Sequence, residues 1–527
     1  MNHQDPSVST SQTGLLTGNI MVRPTAGEEE ERNQEHFKTD HLLTNLRGRT
    51  ISSVAVTMSA QAAKFTLSMA SIVILARFLS PRDFGFVAMV TTVTSFLLVF
   101  KDAGLSIATV QREGITHAQV SNLFWINVGI SFLTTLALAA SAPLIARFYH
   151  DDRLVRITLF LSATFVLSGS TIQHLALLKR QMRFKAIALI EVSSMAIGVF
   201  VGIAMAAMGY RYWSLVGSSL SIEISGLLFT WSVSRWRPQL PSRRSGIGPL
   251  LSFGANRTAG DFIFAVARGS DNLLIGRVYG AVSVGLYSRA TALLMRPLEQ
   301  FLAPINAVFV PALSRLQSQP ERYRFTFLRL YEVIALIGCF FTGLILALSH
   351  PLTIVLLGPK WEKVAAIFGG FTVAALCVPL ANASAWLFTS QGRGRDMLVA
   401  QSINSCVMVL SFLAGLPFGP LGVAVAFSAS GPLIRLPVSY FIVGRCGPVR
   451  TADLWTRLFR HLPIWIVVFF VTWLTRSLIV DLTPLAQLLI CAPVGLVTGV
   501  AFICIFSPQR QVATHLFETL RELKKVR

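Results

Sequence analysis

The chain has 527 residues, of which 53% are hydrophobic and only 13% charged, with a mean hydropathy of +0.60. Soluble domains carry about 25% charged residues, and single cores stop growing near ~250–300 residues, so a soluble reading needs several domains joined by polar linkers. No such linker follows residue 50, which excludes a soluble enzyme; the net charge of +21 sits in short loops between apolar stretches, which argues topology rather than nucleic-acid binding.

The first 46 residues are polar, with an acidic run at Glu28–Glu31, and read as a disordered cytoplasmic tail without a signal peptide. Fourteen apolar spans follow in order: 51–76, 84–100, 120–146, 154–178, 186–208, 212–232, 251–276, 282–311, 327–349, 364–389, 397–416, 420–443, 461–480 and 485–506. Backbone polar groups can be satisfied in lipid only by helices or closed barrels. Spans of ~20 residues without the ten-residue alternation of a barrel strand predict helices, so the fold class is an all-α polytopic membrane protein. The expected units are a first six-helix lobe over 47–245 and a second over 246–445. Helices 13 and 14 follow over 446–507, and a cytoplasmic tail over 508–527. The six cysteines form no CxxC and have no His partner at ligand spacing, so neither a metal site nor a disulfide framework is expected.

The even-numbered connections hold twenty Lys and Arg residues and the odd-numbered ones eleven. The positive-inside rule therefore places the even connections and both termini in the cytoplasm. The longest odd connection, 350–363, has fourteen residues. That leaves no room outside the membrane for a catalytic domain, which disfavours a polysaccharide polymerase or ligase.

An internal repeat is visible at an offset of 200: ARFLSPRDFGFVAM (76–89) lies against GRVYGAVSVGLYSR (276–289), pairing Arg77 with Arg277 and Gly85 with Gly285. Each copy closes the first span of a six-span block, which predicts parallel halves around a central site. Within the first span, Ser53, Thr57, Gln61, Lys64, Ser68 and Ser71 recur at steps of three and four, so they share one helix face. Hydroxyl stripes commonly glue helices together, but an ammonium near mid-span needs water or a partner, so Lys64 is expected to face a cavity. The seventh span carries Arg257, Asp261, Arg268 and Asp271, which at the repeat offset fall opposite Thr57, Gln61, Ser68 and Ser71. The eighth adds Arg289, Arg296 and Glu299, with Pro297, Pro304 and Pro311 at seven-residue spacing. The simplest pairing is internal, Arg257 with Asp261 and Arg268 with Asp271, leaving Lys64, Arg289 and Arg296 as excess positive charge. Glu191 and Glu223 stand alone in the fifth and sixth spans. The stretch GRGRD (392–396) lacks the Lys-Ser/Thr of a phosphate loop and reads as a turn.

The segments ARFLSPRDFG (76–85) and DAGLSIATVQRE (102–113) resemble the opening of the bacterial polysaccharide transporter family. DNLLIGRVYGAVSVGLYSRATALLMRPLEQ (271–300), VPALSRLQSQPERYR (310–324) and LLGPKWEKVAAIF (356–368) are further matching blocks, and the resemblance spans most of 50–445. These proteins are lipid-linked oligosaccharide flippases of the multidrug/oligosaccharidyl-lipid/polysaccharide exporter superfamily, and the likeness is to the colanic-acid and succinoglycan exporter branch. The resemblance implies two six-helix bundles around a cationic cavity that alternates between membrane faces and carries undecaprenyl-pyrophosphate oligosaccharides outward. It also implies no enzymatic activity, no cofactor beyond a proton or sodium gradient, and a polymerase and chain-length regulator as partners in the bacterial inner membrane.

The expected substrate-binding residues are Lys64, Arg257, Arg268, Arg296, Gln61 and Thr57, with Asp261, Asp271 and Glu299 as coupling or ion-pair acids. A drug antiporter of the same superfamily is the rival within the fold, and its cavity should be acidic or aromatic instead.

Overall fold

The computed structural model describes residues 46–101, 105–112, 114–242, 248–512 and 514, and the expected disordered tail lies outside them. The described helices run α1 (Leu46–Phe78), α2 (Pro81–Leu98), α3 (Leu105–Gln111), α4 (His117–Tyr149), α5 (Arg153–Gly169), α6 (Ile172–Arg180), α7 (Phe184–Ala207) and α8 (Trp213–Ser234). The chain continues with α9 (Gly248–Ser314), α10 (Pro320–Ala347), α11 (Ser349–Leu357), α12 (Glu362–Gly370), α13 (Thr372–Ser390), α14 (Gly394–Gly415), α15 (Gly419–Ser430), α16 (Leu436–Gly444), α17 (Thr451–Leu478) and α18 (Pro484–Ile505). No strand occurs among the described residues.

Local chemistry sets many of the ends. Ser80 caps α2 in a reciprocal box with Asp83, ahead of Pro81 at the first helical position, and Thr116 caps α4 with Gln119 in the same way. Gly280 bends α9 between two arms, with φ 74° and ψ −175°, a combination open in practice to glycine alone. The spans expected at 251–276 and 282–311 are those two arms. The expected loop 350–363 is instead largely helical, formed by α11, the 3₁₀ turn Pro359–Trp361 and the start of α12.

Among the described residues ten stretches are long and apolar enough to cross a membrane, from Ala55–Phe78 to Pro484–Ile505, where fourteen spans were expected over the whole chain. Residues 394–444 form one apolar stretch of 51 residues, whereas two spans were expected there. The helices α2 and α9 are present but are not among the ten.

The repeat has a physical counterpart where α2 crosses the second arm of α9. A Cβ on Gly85 would lie 1.7 Å from the Ala281 carbonyl oxygen, and one on Gly285 would lie 1.8 Å from that of Pro81. Positions 81 and 281 share the same 200-residue offset as the glycines, so each helix presents its glycine to the other's equivalent carbonyl. The repeat-related arginines also reach across: Arg77 donates to the Val355 carbonyl at 2.7 Å, and Arg277 to the His150 ring at 3.1 Å. Trp361 adds a bond to the Ala76 carbonyl, and Phe84 packs edge-on against its ring. These contacts tie the two halves together at the end carrying the odd connections.

A second offset, 210, relates the later helices. Met182 and Gly392 both take positive φ, of 54° and 68°. Behind them Arg183 donates to the Val233 carbonyl and Arg393 to that of Val443, at 3.5 and 3.0 Å. The stretch GRGRD thus runs from the turn at Gly392 straight into the start of α14, so only its beginning is the expected turn, and Arg393 also binds Asp396 and the Ile442 and Cys446 carbonyls. The ten-residue step between offsets falls where the second half carries α11 and its 3₁₀ turn.

The last two helices dock on α10. Gly343 lets the Trp465 carbonyl approach, and Gly495 and Gly499 receive Leu344 and Phe340. At the opposite end of this seam Glu332 of α10 pairs with both Arg457 and Arg460, and Arg324 forms a two-bond fork on Asp453.

Candidate functional site

A cavity of about 780 Å³ lies directly beneath the glycine crossing, between α1, α2, α7, α8 and both arms of α9. Each wall is built by helical spacing. The first helix contributes Ser68, Ser71 and Leu75, and α2 contributes Phe84, Ala88, Thr91 and Ser95. The second arm of α9 presents Arg289, Ala292, Arg296 and Glu299, at steps of three and four. From the first arm come Arg268 and Asn272.

The charges are unevenly distributed. Among the described lining residues three arginines meet a single carboxylate, Glu299, which Arg268 engages directly. Arg289 stacks 4.5 Å over the Phe84 ring, and its Nε is buried without a hydrogen-bond partner. Arg296 donates to the Ser68 hydroxyl at 3.1 Å, a neutral acceptor, and feels the Glu299 carboxylate three residues on without forming an ion pair with it. Such a guanidinium pair in a low-dielectric pocket attracts a polyanion far more strongly than the same pair in water.

Several expected residues take other places. Lys64 sits one helical turn from Ser68 on the same stripe but is outside the cavity lining; its ammonium lies 2.5 Å from Glu191 of α7. The expectation that Lys64 remains uncompensated is therefore corrected, and the isolated Glu191 has a partner. Gln61 and Thr57 continue the stripe away from the cavity, and Thr57 bonds the Ser53 carbonyl at 2.8 Å. The expected pair of Arg268 with Asp271 is also replaced. Arg268 turns to Glu299 on the other arm, while Asp271 accepts from the Tyr287 hydroxyl at 3.0 Å and from the Asn272 amide at 2.6 Å. The side chains of Arg257 and Asp261 lie outside the described residues.

A second cavity, of about 560 Å³, adjoins the first. Both are bordered by Arg268, Asn272, Thr291 and Glu299, so the Arg268–Glu299 pair stands at the passage between them. Arg435 lines this second chamber and was not anticipated: it lies in a span that reads as apolar, at the end of the π-helical turn Gly431–Arg435. Among the described residues no group of three or more His, Cys, Asp or Glu side chains could hold a metal ion.

A polytopic helical protein with a cavity between two related halves is a transporter-type fold, and solved structures share it. Lipid II flippase MurJ in an inward closed conformation matches with a TM-score of 0.66 and 15% identity, over 86% of this chain and 98% of that one. An inward-facing multidrug resistance MATE family transporter of the MOP superfamily matches with a TM-score of 0.59 and 12% identity, over 76% and 99%. More specifically, residues 74–366 match the family described as "Polysaccharide biosynthesis protein", and the chain belongs to that family. Similar proteins include the lipopolysaccharide biosynthesis protein WzxC of Escherichia coli (strain K12), 24% identical over 80% of this chain and 87% of the relative. Another is the succinoglycan biosynthesis transport protein ExoT of Rhizobium meliloti (strain 1021), 26% identical over 58% of this chain and 62% of the relative.

Proposed function

We propose that the protein is a flippase for lipid-linked oligosaccharides, moving undecaprenyl-pyrophosphate-linked repeat units of a surface polysaccharide outward across the bacterial inner membrane. The observation that carries this reading is the cavity with three arginines against one carboxylate. A pyrophosphate headgroup crossing lipid unaided loses its water without replacement, and a guanidinium-lined chamber supplies substitute donors. A drug antiporter for cations would find this cavity repulsive. The chain works by transport and not by catalysis.

In this reading all fourteen expected spans cross the membrane, the halves 47–245 and 246–445 form two six-helix lobes, and both termini are cytoplasmic. Reporter fusions at Arg243 and Arg457 are expected to signal cytoplasm and a fusion at Lys360 the far side. A cytoplasmic signal at Lys360 overturns the map. A polymerase and a chain-length regulator receive the exported unit, and a proton or sodium gradient drives the cycle, with Asp261, Asp271 or Glu299 as the coupling acid.

The function itself is tested by deletion. Lipid-linked repeat units should accumulate facing the cytoplasm, and polymer should disappear from the surface. A strain that builds no lipid-linked sugar at all places the protein in synthesis instead.

Thr57, Gln61, Lys64 and Arg257 form the approach by which the headgroup reaches Arg268 and Arg296, and the headgroup displaces Glu191 from Lys64. Lys64→Ala is then expected to abolish export at unchanged protein level, with Lys64→Arg retaining part. Exchanging the pair, Lys64→Glu with Glu191→Lys, separates the roles. Full recovery in the exchanged variant shows that Lys64 serves only the ion pair.

A further inference from the structure

The second chamber opens from the first beside Arg268 and Glu299 and is lined quite differently. Its polar groups are mostly uncharged: Asn382, Gln401, Asn404 and Ser439 stand among aromatic faces that include Phe412 and Phe427. Amides beside aromatic rings suit a saccharide, whose hydroxyls exchange hydrogen bonds while its C–H faces lie on rings. A polyprenyl chain would instead leave these amides desolvated and unpaired. Two amides of the lining, Asn404 and Asn272, each have an unpaired oxygen. Asn404 donates to the Ser439 hydroxyl at 2.9 Å, but its carbonyl oxygen is buried without a hydrogen bond, as is that of Asn272.

The one basic side chain special to this chamber is Arg435. It lies 4.0 Å over the Phe427 ring, and its bonds go to the Ser430 hydroxyl and the Phe427 carbonyl, at 3.0 and 2.7 Å. No ion pair engages it among the described residues. Two of its donors are therefore held by neutral groups that fix its plane, and its charge is left for a ligand.

We infer that this second chamber is a saccharide subsite, with Arg435 recognising an anionic sugar residue while the amides read hydroxyls. The inference rests on the flippase reading above and adds the part of the substrate that the second chamber selects.

The test uses the purified full-length protein in nanodiscs and three probes: undecaprenyl pyrophosphate, the same lipid carrying a glucose disaccharide, and the same lipid ending in glucuronate. A charge-assisted bond contributes about 1.5–3 kcal/mol, so Arg435→Gln should weaken the glucuronate probe at least ~10-fold. It should leave the sugar-free lipid within about 2-fold. Arg435→Lys keeps the charge and should recover part of the loss, which a purely structural role for the fork would not allow. Asn404→Leu should weaken both saccharide probes and spare the sugar-free lipid, whereas Arg296→Gln should weaken all three. Equal effects of Arg435→Gln on all three probes, or none, overturn the saccharide subsite. Sugar-free lipid binding that is indifferent to Arg296→Gln overturns the cationic-cavity reading while leaving the subsite to be judged on Arg435→Gln. Failure of the wild type to bind any probe overturns both.

Discussion

Gly85→Val, and separately Gly285→Val, should abolish export while the protein still reaches the membrane. The two glycines bring backbones so close that an added Cβ falls 1.7 or 1.8 Å from a carbonyl oxygen of the facing helix. Backbone on both sides cannot yield as a flexible side chain would, so the helices must separate. Overpacking of this kind costs about 3 kcal/mol or more, which lowers the population of any state in which the two helices cross this closely roughly 100-fold. The cost falls on that state alone, since the glycines need no small residue once the helices have parted. Cysteines at Ala281 and Pro81 offer the measurement: cross-linking with a short reagent should be efficient in the parent and lost in either valine variant. Export and cross-linking at parental levels in both would show that the crossing does not open and close during transport.

The second large effect is expected from removing Arg289 and Arg296 together. Both line the cavity, neither has a carboxylate partner among the described residues, and they stand two helical turns apart on one face. Each charge-assisted contact to phosphate contributes about 1.5–3 kcal/mol, so the double alanine variant should bind undecaprenyl pyrophosphate at least ~100-fold more weakly and export nothing detectable. Its thermal stability should hold or rise, because two charges without ion-pair partners are removed from the cavity wall. A double variant that exports as the parent does, at equal abundance, would leave the cationic cavity without a role in transport.

Much of this arrangement was legible in the residues. The stripe on α1 was visible as steps of three and four, and Ser68 and Ser71 do line the cavity. The alignment of Gly85 with Gly285 pointed to a repeat whose contact is reciprocal in space. What could not be read were partners chosen across the fold. Sequence spacing offers Arg268 only its neighbour Asp271, three residues on, whereas the folded chain supplies Glu299, 31 residues away. Lys64 likewise meets Glu191, 127 residues distant. The 210-residue offset was hidden because its signature is a turn geometry, shared by Met182 and Gly392, that different residues satisfy. Arg435 was missed for another reason: one cation within an otherwise apolar helix carries no periodicity to reveal which way it faces.

The reciprocal crossing has a geometric meaning of its own. A contact in which position 81 meets 285 and position 281 meets 85 is the self-complementary kind formed by identical subunits about a two-fold axis. The chain is in that sense a covalently joined dimer of unlike members. Identical members would be bound to repeat every cation on both walls and to face each with its own copy. Joined members are not, and here one wall has kept serine and threonine while the other has gathered arginine. The resulting chamber is lopsided, with a charged wall that can grip a headgroup and a hydroxyl wall that can let it go.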